Sequence, residues 1–503
     1  MIEGNEEKGL EIIDGLIIDG LPSHLSIDGS PPKTKPLKEW MKNNASAVGL
    51  AVIHQGEIDC VVAFGNLSAE ESRELTTRDI FEAASLAKAV TAYGAIKLLS
   101  EKGINLDERI DRWLPDQDTP SLLGDEFLAN KFDDGAAFSK FKGKDITFRK
   151  LMQHISGIQD PKKHGHLKPG EEWLAKQLIE LAELKTSGIW RYSNTGYTLL
   201  ELLLENIAQK PFPQIMDEYA LQPLQMEHST FSQTGKKLEA LQWVVGKNYD
   251  GVLTTPYQYP RAAGGLRTTA RDYSKFMQAL IQAYNEKSGN PVKQMFYALD
   301  AEGNPCHYGL GIGIHGSPED PVFAHTGGNN GFSTLMRIMP KRKQGAVILT
   351  NYVDGDTLHN KLAVSINNVY EWDQPQSRRT SVSTPVTSIP EADFKQYLGK
   401  YVVTVAGGGE TVQIEILEEG GQLFLKLPSP TPTSPLEKFP LFLSSGDKKT
   451  LFTEFKDELL PLKIGLEEGG ARTIEVYFDG CPEPSKGKLA EGDAPECKMP
   501  GPA

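Results

Sequence analysis

The sequence predicts an α+β protein in two parts: a large first domain with strands near both of its ends and helices between them, then a small antiparallel β domain. Three observations predict it. Strand-like apolar runs at Gly49–His54 and Ile58–Gly65 flank the turn Gln55-Gly56, and strand patterns return only from Tyr308 onward. Between them, apolar residues recur at helical spacing. After a Pro-, Ser- and Thr-rich stretch at 373–390, alternation with a period of two takes over.

Residues 1–35 are polar, end in Pro31–Pro36, and read as an extended lead-in with room for one short helix. The first domain is expected over 36–372 and begins with the hairpin. Ala83–Ser100 is apolar nearly all round, through Leu86, Val90, Tyr93, Ile96, Leu98 and Leu99, which marks a buried helix that Gly103 ends. Residues 117–145 show little periodicity. Helical patterns follow at Phe148–His154, Glu171–Leu184, Tyr197–Ala208 and Ala270–Asn285, then strands at Tyr308–His315, Val322–Ala324, Ser333–Met339 and Gly345–Thr350, and an amphipathic helix at Thr357–Trp372. Beyond the linker, a β domain is expected over 391–481. Val412, Ile414 and Ile416 alternate, as do Leu423, Leu425 and Leu427, around Glu418-Glu419-Gly420-Gly421; the same Leu-Glu-Glu-Gly-Gly recurs at Leu466–Gly470. Two hairpins with one turn chemistry predict a small antiparallel barrel or sandwich. Residues 482–503 are Pro, Gly and charge and read as a disordered tail.

Composition narrows the function. A chain of 503 residues with 39% hydrophobic and 24% charged residues is that of a folded protein, and its net charge of −14 without a basic block argues against nucleic acid or an anionic membrane as partner. No run approaches the ~18 apolar residues of a spanning helix. Glu3, Glu6 and Glu7 stand where a signal peptide would be basic, so a cytoplasmic location is expected. The cysteines Cys60, Cys306, Cys481 and Cys497 are too scattered for a disulfide framework, with only a Cys481–Cys497 pairing left open.

Ser85-Leu86-Ala87-Lys88 opens the buried helix. A spacing of three puts both side chains on one face, and a buried lysine loses its charge readily and can act as a base toward a serine nucleophile. Ser-x-x-Lys also occurs at Ser30, Ser139, Ser445 and Ser485, but there in polar loops, turns or tail, where lysine stays solvated. Taken alone, Ser85 is equally a helix cap beside a buried lysine. Tyr192-Ser193-Asn194 is the only Tyr-x-Asn in the chain and precedes a helix; His325-Thr326-Gly327-Gly328 follows the expected strand Val322–Ala324. Each alone is an ordinary turn.

The three in this order resemble the class C β-lactamase and serine DD-peptidase superfamily, the β-lactamase-related serine hydrolases (the S12 peptidases). The resemblance covers about Lys38–Trp372, with Ile146–Gly157 and Ala262–Asp272 as further family-like stretches. It implies a β-lactamase/transpeptidase-like domain. The hairpin and the last strands would form a central antiparallel sheet flanked by the terminal helices, with a helical lobe beside it and the site between. The β domain after it looks lipocalin-like. Ser85 would be acylated, Lys88 and Tyr192 would move its proton, and Asn194 would hold the acyl-side amide and orient Lys88. The backbone N–H groups of Ser85 and Gly328 would form an oxyanion hole. His325, Thr326 and Gly327 would line the leaving side, His325 and Thr326 meeting a substrate carboxylate.

The third motif of the β-lactamases starts with lysine, and His325 stands there instead, which favours a peptidase or amidase, with a bond next to a D-residue as one candidate, or a carboxylesterase, over a dedicated β-lactamase. A histidine would also make any pull on a carboxylate pH-sensitive. A binding or assembly protein on the same fold is the reading from another class. No metal or organic cofactor is implied, since serine, lysine and tyrosine suffice; the partner is a small-molecule or short-peptide substrate, and the oligomeric state is open. His164-Gly165-His166 lacks a third ligand and reads as a loop rather than a metal site. Asp107, Glu108, Asp111, Asp116 and Asp118 read as a solvated turn, and His154 as a core histidine on a helix. The stretch 117–145, with Phe127, Phe132, Phe138 and Phe141, is a candidate lid shaping the acyl pocket.

Overall fold

The structure is a computed structural model. It describes residues 2–18, 25–27, 47–66, 73–114, 136–161, 179–232, 244–246, 260–287, 289–297, 307–329, 331–351, 355–372, 384–404, 411–427, 438–445, 449–455, 458–466, 472–476 and 485–489. The chain divides into two compact units: Met1–Asp14 with Trp40–Trp372, and Gly15–Glu39 with Asp373–Ala503.

The first unit holds a seven-stranded sheet, antiparallel at every pairing, made of β1 (Ile2–Gly4), β2 (Ala47–His54), β3 (Glu57–Gly65), β4 (Gly313–Ser317), β5 (Asp320–Asn329), β6 (Phe332–Met339) and β7 (Gln344–Thr350). Their order across the sheet is β1-β3-β2-β7-β6-β5-β4. The hairpin and the last strands therefore meet in the middle, where β7 pairs with β2 from Gly345↔Ile53 to Thr350↔Val48. Strand β2 is apolar at nearly every position because both faces of the sheet are covered. Ala47, Ala51 and Ile53 belong to the large core, while Val48, Leu50 and Val52 are as fully buried outside it. Of the helices α1 (Glu6–Ile18), α2 (Ala87–Glu101), α3 (Asn194–Ala208), α4 (Ala270–Asn285) and α5 (Gly355–Val369), α4 packs on β2 and β7, and α5 packs on β6 and β7. The helical lobe is built around α2 and α3. Twelve of the fifteen residues of α2 are buried, which is why its sequence shows almost no polar face.

The first residues are not a free lead-in. Ile2–Gly4 adds to the sheet edge beside β3, Lys8 Nζ donates to the Val369 carbonyl at 3.1 Å, and Ser365 Oγ donates to the Ile12 carbonyl at 3.0 Å. Polar composition hid this, because the strand is three residues long and its hydrogen bonds are to backbone. The helix expected over Glu171–Leu184 is described only from 179; it stops at Leu181, and Glu183–Leu184 pairs instead with Ile158–Gln159.

The candidate lid is corrected in its second half. Phe138 and Phe141 are fully buried in the main core, and Lys140 Nζ donates to the carbonyls of Glu180 and Ala182 at 2.8 and 3.2 Å. Two of the four phenylalanines therefore pack the lobe, and residues 115–135, with Phe127 and Phe132, lie outside the described residues. Phe141→Ala is expected to destabilise by about 3–5 kcal/mol, the usual cost of an emptied aromatic site. Substrate selectivity should be unchanged; equilibrium unfolding and kcat/KM ratios check it.

The second unit is a curled, eleven-stranded, almost wholly antiparallel sheet. Its inner residues alternate: Tyr401 and Val403, Ile414 and Ile416, Leu423 and Leu425, Ile474 and Val476 are buried together. In the first repeated turn, Glu419 pairs with Gln422 across Gly420 and Gly421, at φ +62° and +78°. Two successive positive φ values define the tight hairpin turn that two glycines adopt without steric cost. The second repeat joins Leu466 to Arg472 through residues that lie outside those described. Two boundaries move. Thr384–Thr387, inside the expected linker, is a strand that pairs in parallel with Leu25–Ile27. Ser485–Leu489, inside the expected disordered tail, pairs with both Gly399–Thr404 and Arg472–Val476. Lys486 and Lys488 alternate with Gly487, so the segment shows no apolar face, yet Leu489 packs against the core.

Candidate active site

The nucleophile turn is fixed before the helix begins. Ala84–Leu86 forms a short 3-10 turn leading into α2, and Ala84 sits at φ +47°, a left-handed conformation that costs an L-residue about 1–2 kcal/mol. Neighbours hold it there. Ala83 N donates to the Leu266 carbonyl at 2.9 Å, Thr334 Oγ1 to the Ala83 carbonyl at 2.9 Å, and Tyr273 OH to the Leu86 carbonyl at 3.1 Å. Asn329 Nδ2 donates to the Glu82 carboxylate, which ties the turn to the end of β5.

Ser85 Oγ meets two groups. Tyr192 OH lies 2.8 Å from it, and Lys88 Nζ 3.1 Å. Lys88 is wholly buried, and its Nζ also donates to Asn194 Oδ1 at 2.8 Å and to the Ala263 carbonyl at 2.7 Å. Those two partners are oxygens that can only accept, so they hold two N–H bonds and leave the third tetrahedral position aimed at Ser85. Once Lys88 is neutral, that position is a lone pair facing a hydroxyl proton. Burial pushes Lys88 down to about 7, against the charge of Asp160, which favours the ammonium. Burial pushes the Tyr192 phenol up, beyond the usual tyrosine range. The arrangement can therefore pass the Ser85 proton to Lys88 while Tyr192 remains a proton donor. The rings of Tyr192 and Tyr197, 4.7 and 5.6 Å from Lys88 Nζ, favour its charged form in compensation.

The third motif lies within strand β5 rather than after it. Its residues alternate: His325 and Gly327 are buried, Thr326 and Gly328 exposed. A Cβ on Gly327 would stand 2.6 Å from the Ala83 carbonyl oxygen and 3.0 Å from Ser85 N, so the glycine lets the nucleophile turn lie against the strand. Gly328 has open space where its Cβ would be. Strand β4 pairs with β5 only as far as Ala324, so beyond it no described strand covers that edge of β5.

His325, expected to meet a substrate carboxylate, has both ring nitrogens engaged within the protein. It is 8% exposed, its Nδ1 lies 2.5 Å from the Thr326 carbonyl and its Nε2 2.8 Å from Tyr308 OH. A carbonyl only accepts, so Nδ1 carries the proton and Nε2 accepts from Tyr308. Burial, then the nearby charge of Lys88, pushes His325 down to about 4. The ring is neutral near pH 7, not half-titrated.

The sequence missed the residues behind these groups. Asp160 accepts four hydrogen bonds at the start of α3, including one from Asn194 Nδ2 at 3.1 Å. His154 lies just after the helix Phe148–Met152, at φ +62°, not on its apolar face. It is buried as expected, but against Tyr192 (4.4 Å between ring centroids), Tyr197 and Tyr308, and its Nδ1 accepts from Ser193 N at 3.1 Å. The short ladder Ile158–Gln159 with Glu183–Leu184, extended by Arg191 N to the His154 carbonyl at 2.8 Å, brings Asp160 and His154 to Tyr192. Asp160 and His154 fall in or beside the stretch Ile146–Gly157 that the family resemblance marked; Tyr308 carried no signal beyond a strand start. Of the weaker candidates, Asp107 pairs with Arg149 and Asp111 with Arg109 at the surface, whereas His164 and His166, Asp116 and Asp118, and Cys481 and Cys497 lie outside the described residues.

A serine between a lysine and a tyrosine, beside a strand edge that no described strand covers, is the equipment of an acyl-transfer enzyme. The chain belongs to the beta-lactamase family, whose model matches residues 35–371, and is a serine hydrolase of that family. It is similar to Penicillin-binding protein 4* of Bacillus subtilis (strain 168), 26% identical over 457 residues that cover 82% of this chain and 91% of that protein. It is also similar to Protein flp of Staphylococcus aureus (strain MW2), 23% identical, with 62% of this chain and 61% of that protein covered. Among solved structures, the octameric penicillin-binding protein homologue from Pyrococcus abyssi aligns with a TM-score of 0.54 at 18% identity, covering 90% of this chain and 98% of that one. SurE with D-Leu aligns at 0.52 and 18% identity, covering 97% and 99%. These structures share the fold. No helix among the described residues is long and apolar enough to cross a membrane.

Proposed function

We propose that the protein cleaves an amide or peptide bond through an acyl-enzyme on Ser85, with a small molecule or short peptide as substrate. The observation that carries this is the edge of β5 beside Ser85, which no strand among the described residues covers. A peptide can hydrogen-bond along such an edge, an arrangement a simple ester cannot use. Lys88 takes the serine proton, Tyr192 donates to the leaving nitrogen, and the N–H groups of Ser85 and Gly328 stabilise the oxyanion. Asn194 holds Lys88 in place, and Thr326 and Gly327 line the leaving side. Neutral His325 supports Tyr308 and offers no cation to a terminal carboxylate; Thr326 is the exposed polar group there. The D-residue preference draws support from the likeness to the structure of SurE with D-Leu. A carboxylesterase with the same nucleophile is the competing reading.

Two measurements test it. D- and L-amino-acid p-nitroanilides compared with p-nitrophenyl esters should show turnover of anilides, the D-forms preferred; turnover confined to esters would make it an esterase. Activity should also rise with pH along one limb near 7, because Lys88 must be neutral to act as base and is protonated below that. His325, held near 4, should add no limb between pH 5 and 8.

A further inference from the structure

We infer that Asp160 is a positioning residue for Lys88, acting through the side-chain amide of Asn194. This rests on the reading of Ser85 and Lys88 given above, and goes beyond it by assigning a role to a carboxylate that touches neither the serine nor the substrate.

The argument begins at the start of α3. A helix leaves its first backbone N–H groups without intrahelical partners. Here Thr195 N donates to Asp160 Oδ1 at 2.7 Å, Asn194 N to Oδ2 at 3.1 Å, and Gly196 N to Ser193 Oγ at 2.9 Å. Capping is complete with those three and the bond from Ser193 N to His154 Nδ1 at 3.1 Å. The bond from Asn194 Nδ2 to Asp160 Oδ2, at 3.1 Å, is additional, and it falls on the side chain whose other end faces Lys88.

An asparagine amide has nearly the same shape in its two orientations, and only its partners distinguish them. Turned the other way, Asn194 would aim N–H bonds at the N–H bonds of Lys88. Lys88 would lose one of its two fixed acceptors, and its third position would swing off Ser85 Oγ. A carboxylate accepts and cannot donate, so Asp160 selects the amide orientation that presents Oδ1 to Lys88. An asparagine at 160 would accept either orientation. Asp160 also places a negative charge one side chain away from the lysine. The other groups facing Lys88 are the rings of Tyr192 and Tyr197 and the neutral imidazoles of His154 and His325, so Asp160 is the anion of this set.

The test uses Asp160→Asn in the full chain and p-nitrophenyl acetate, which has no acyl-side amide for Asn194 to hold. Active sites are counted by a fluorophosphonate adduct. Per active site, kcat is expected to fall by roughly 10- to 100-fold, the scale of a misplacement of about an ångström, with KM within about twofold. The acid limb should move to lower pH, since the charge that favours the ammonium is gone. Asp160→Glu, which restores an acceptor-only group, should recover part of kcat and return the limb toward that of the wild type. A role in helix capping alone would lower the melting temperature and leave per-site kcat and the limb where they were, and that result overturns the inference. If Asp160→Asn does not fold, Asn194→Leu keeps all three backbone and hydroxyl bonds to Asp160 and removes the amide through which it acts, both the bond to Asp160 and the acceptor for Lys88. It should show the same loss of kcat, and a per-site kcat within twofold of wild type would overturn the inference equally. Failure of the wild-type enzyme to form an adduct at Ser85 would instead refute the underlying reading.

Discussion

Ser85→Ala should lower kcat by on the order of 10⁴–10⁶ with little change in fold, as for other serine nucleophiles whose removal leaves only binding and oxyanion stabilisation. The side chain contributes one hydroxyl to a turn held by bonds that do not involve it: Ala83 to Leu266, Thr334 to Ala83, and Tyr273 to Leu86. What disappears is the atom that both Lys88 and Tyr192 face. A folded Ser85→Ala protein retaining more than a tenth of wild-type turnover would show that another group is acylated or that no acyl-enzyme forms.

Lys88→Arg should be almost as damaging, by roughly 10²–10⁴-fold, the range of a general acid–base contribution. The charge is conserved, so a purely electrostatic role would survive the change. Arginine stays protonated at any working pH and cannot take a proton from Ser85. Its planar fork also cannot satisfy Asn194 Oδ1 and the Ala263 carbonyl while aiming a lone pair at the serine. Tyr192→Phe should lose at least ~100-fold on the same grounds. Stopped-flow acylation separates the outcomes: an unchanged acylation rate in Lys88→Arg would remove the lysine from the proton path.

Much of this architecture was legible because its signals are local and strong. The hairpin read at 49–65 and the helix at 270–285 announce themselves by their apolar runs and their period, and the structure extends the hairpin only to Ala47. Buried α2 was legible from its lack of a polar face. The three motifs named the nucleophile and its neighbours because their order along the chain is family-like. What stayed hidden depends on tertiary placement. Phe138 and Phe141 look the same in sequence whether they face a pocket or a core. His325 was expected to titrate near pH 7 because its sequence neighbours show neither the Tyr308 hydroxyl at its Nε2 nor the burial that neutralises it. Asp160 is one acidic residue in a loop until Ile158–Gln159 pairs with Glu183–Leu184 and carries it to the start of α3. Strand Ser485–Leu489 pairs on both sides through backbone groups, which composition does not report.

The central claim is that Ser85, activated by Lys88, forms a covalent bond to the acyl group. Intact-protein mass spectrometry after brief exposure to a fluorophosphonate or a β-lactam tests it directly, followed by peptide mapping of the adduct. One adduct per chain is expected, on the peptide carrying Ser85, forming faster as pH rises through about 7 and absent in Ser85→Ala. An adduct on any other residue, or one that persists undiminished in Ser85→Ala, would contradict it.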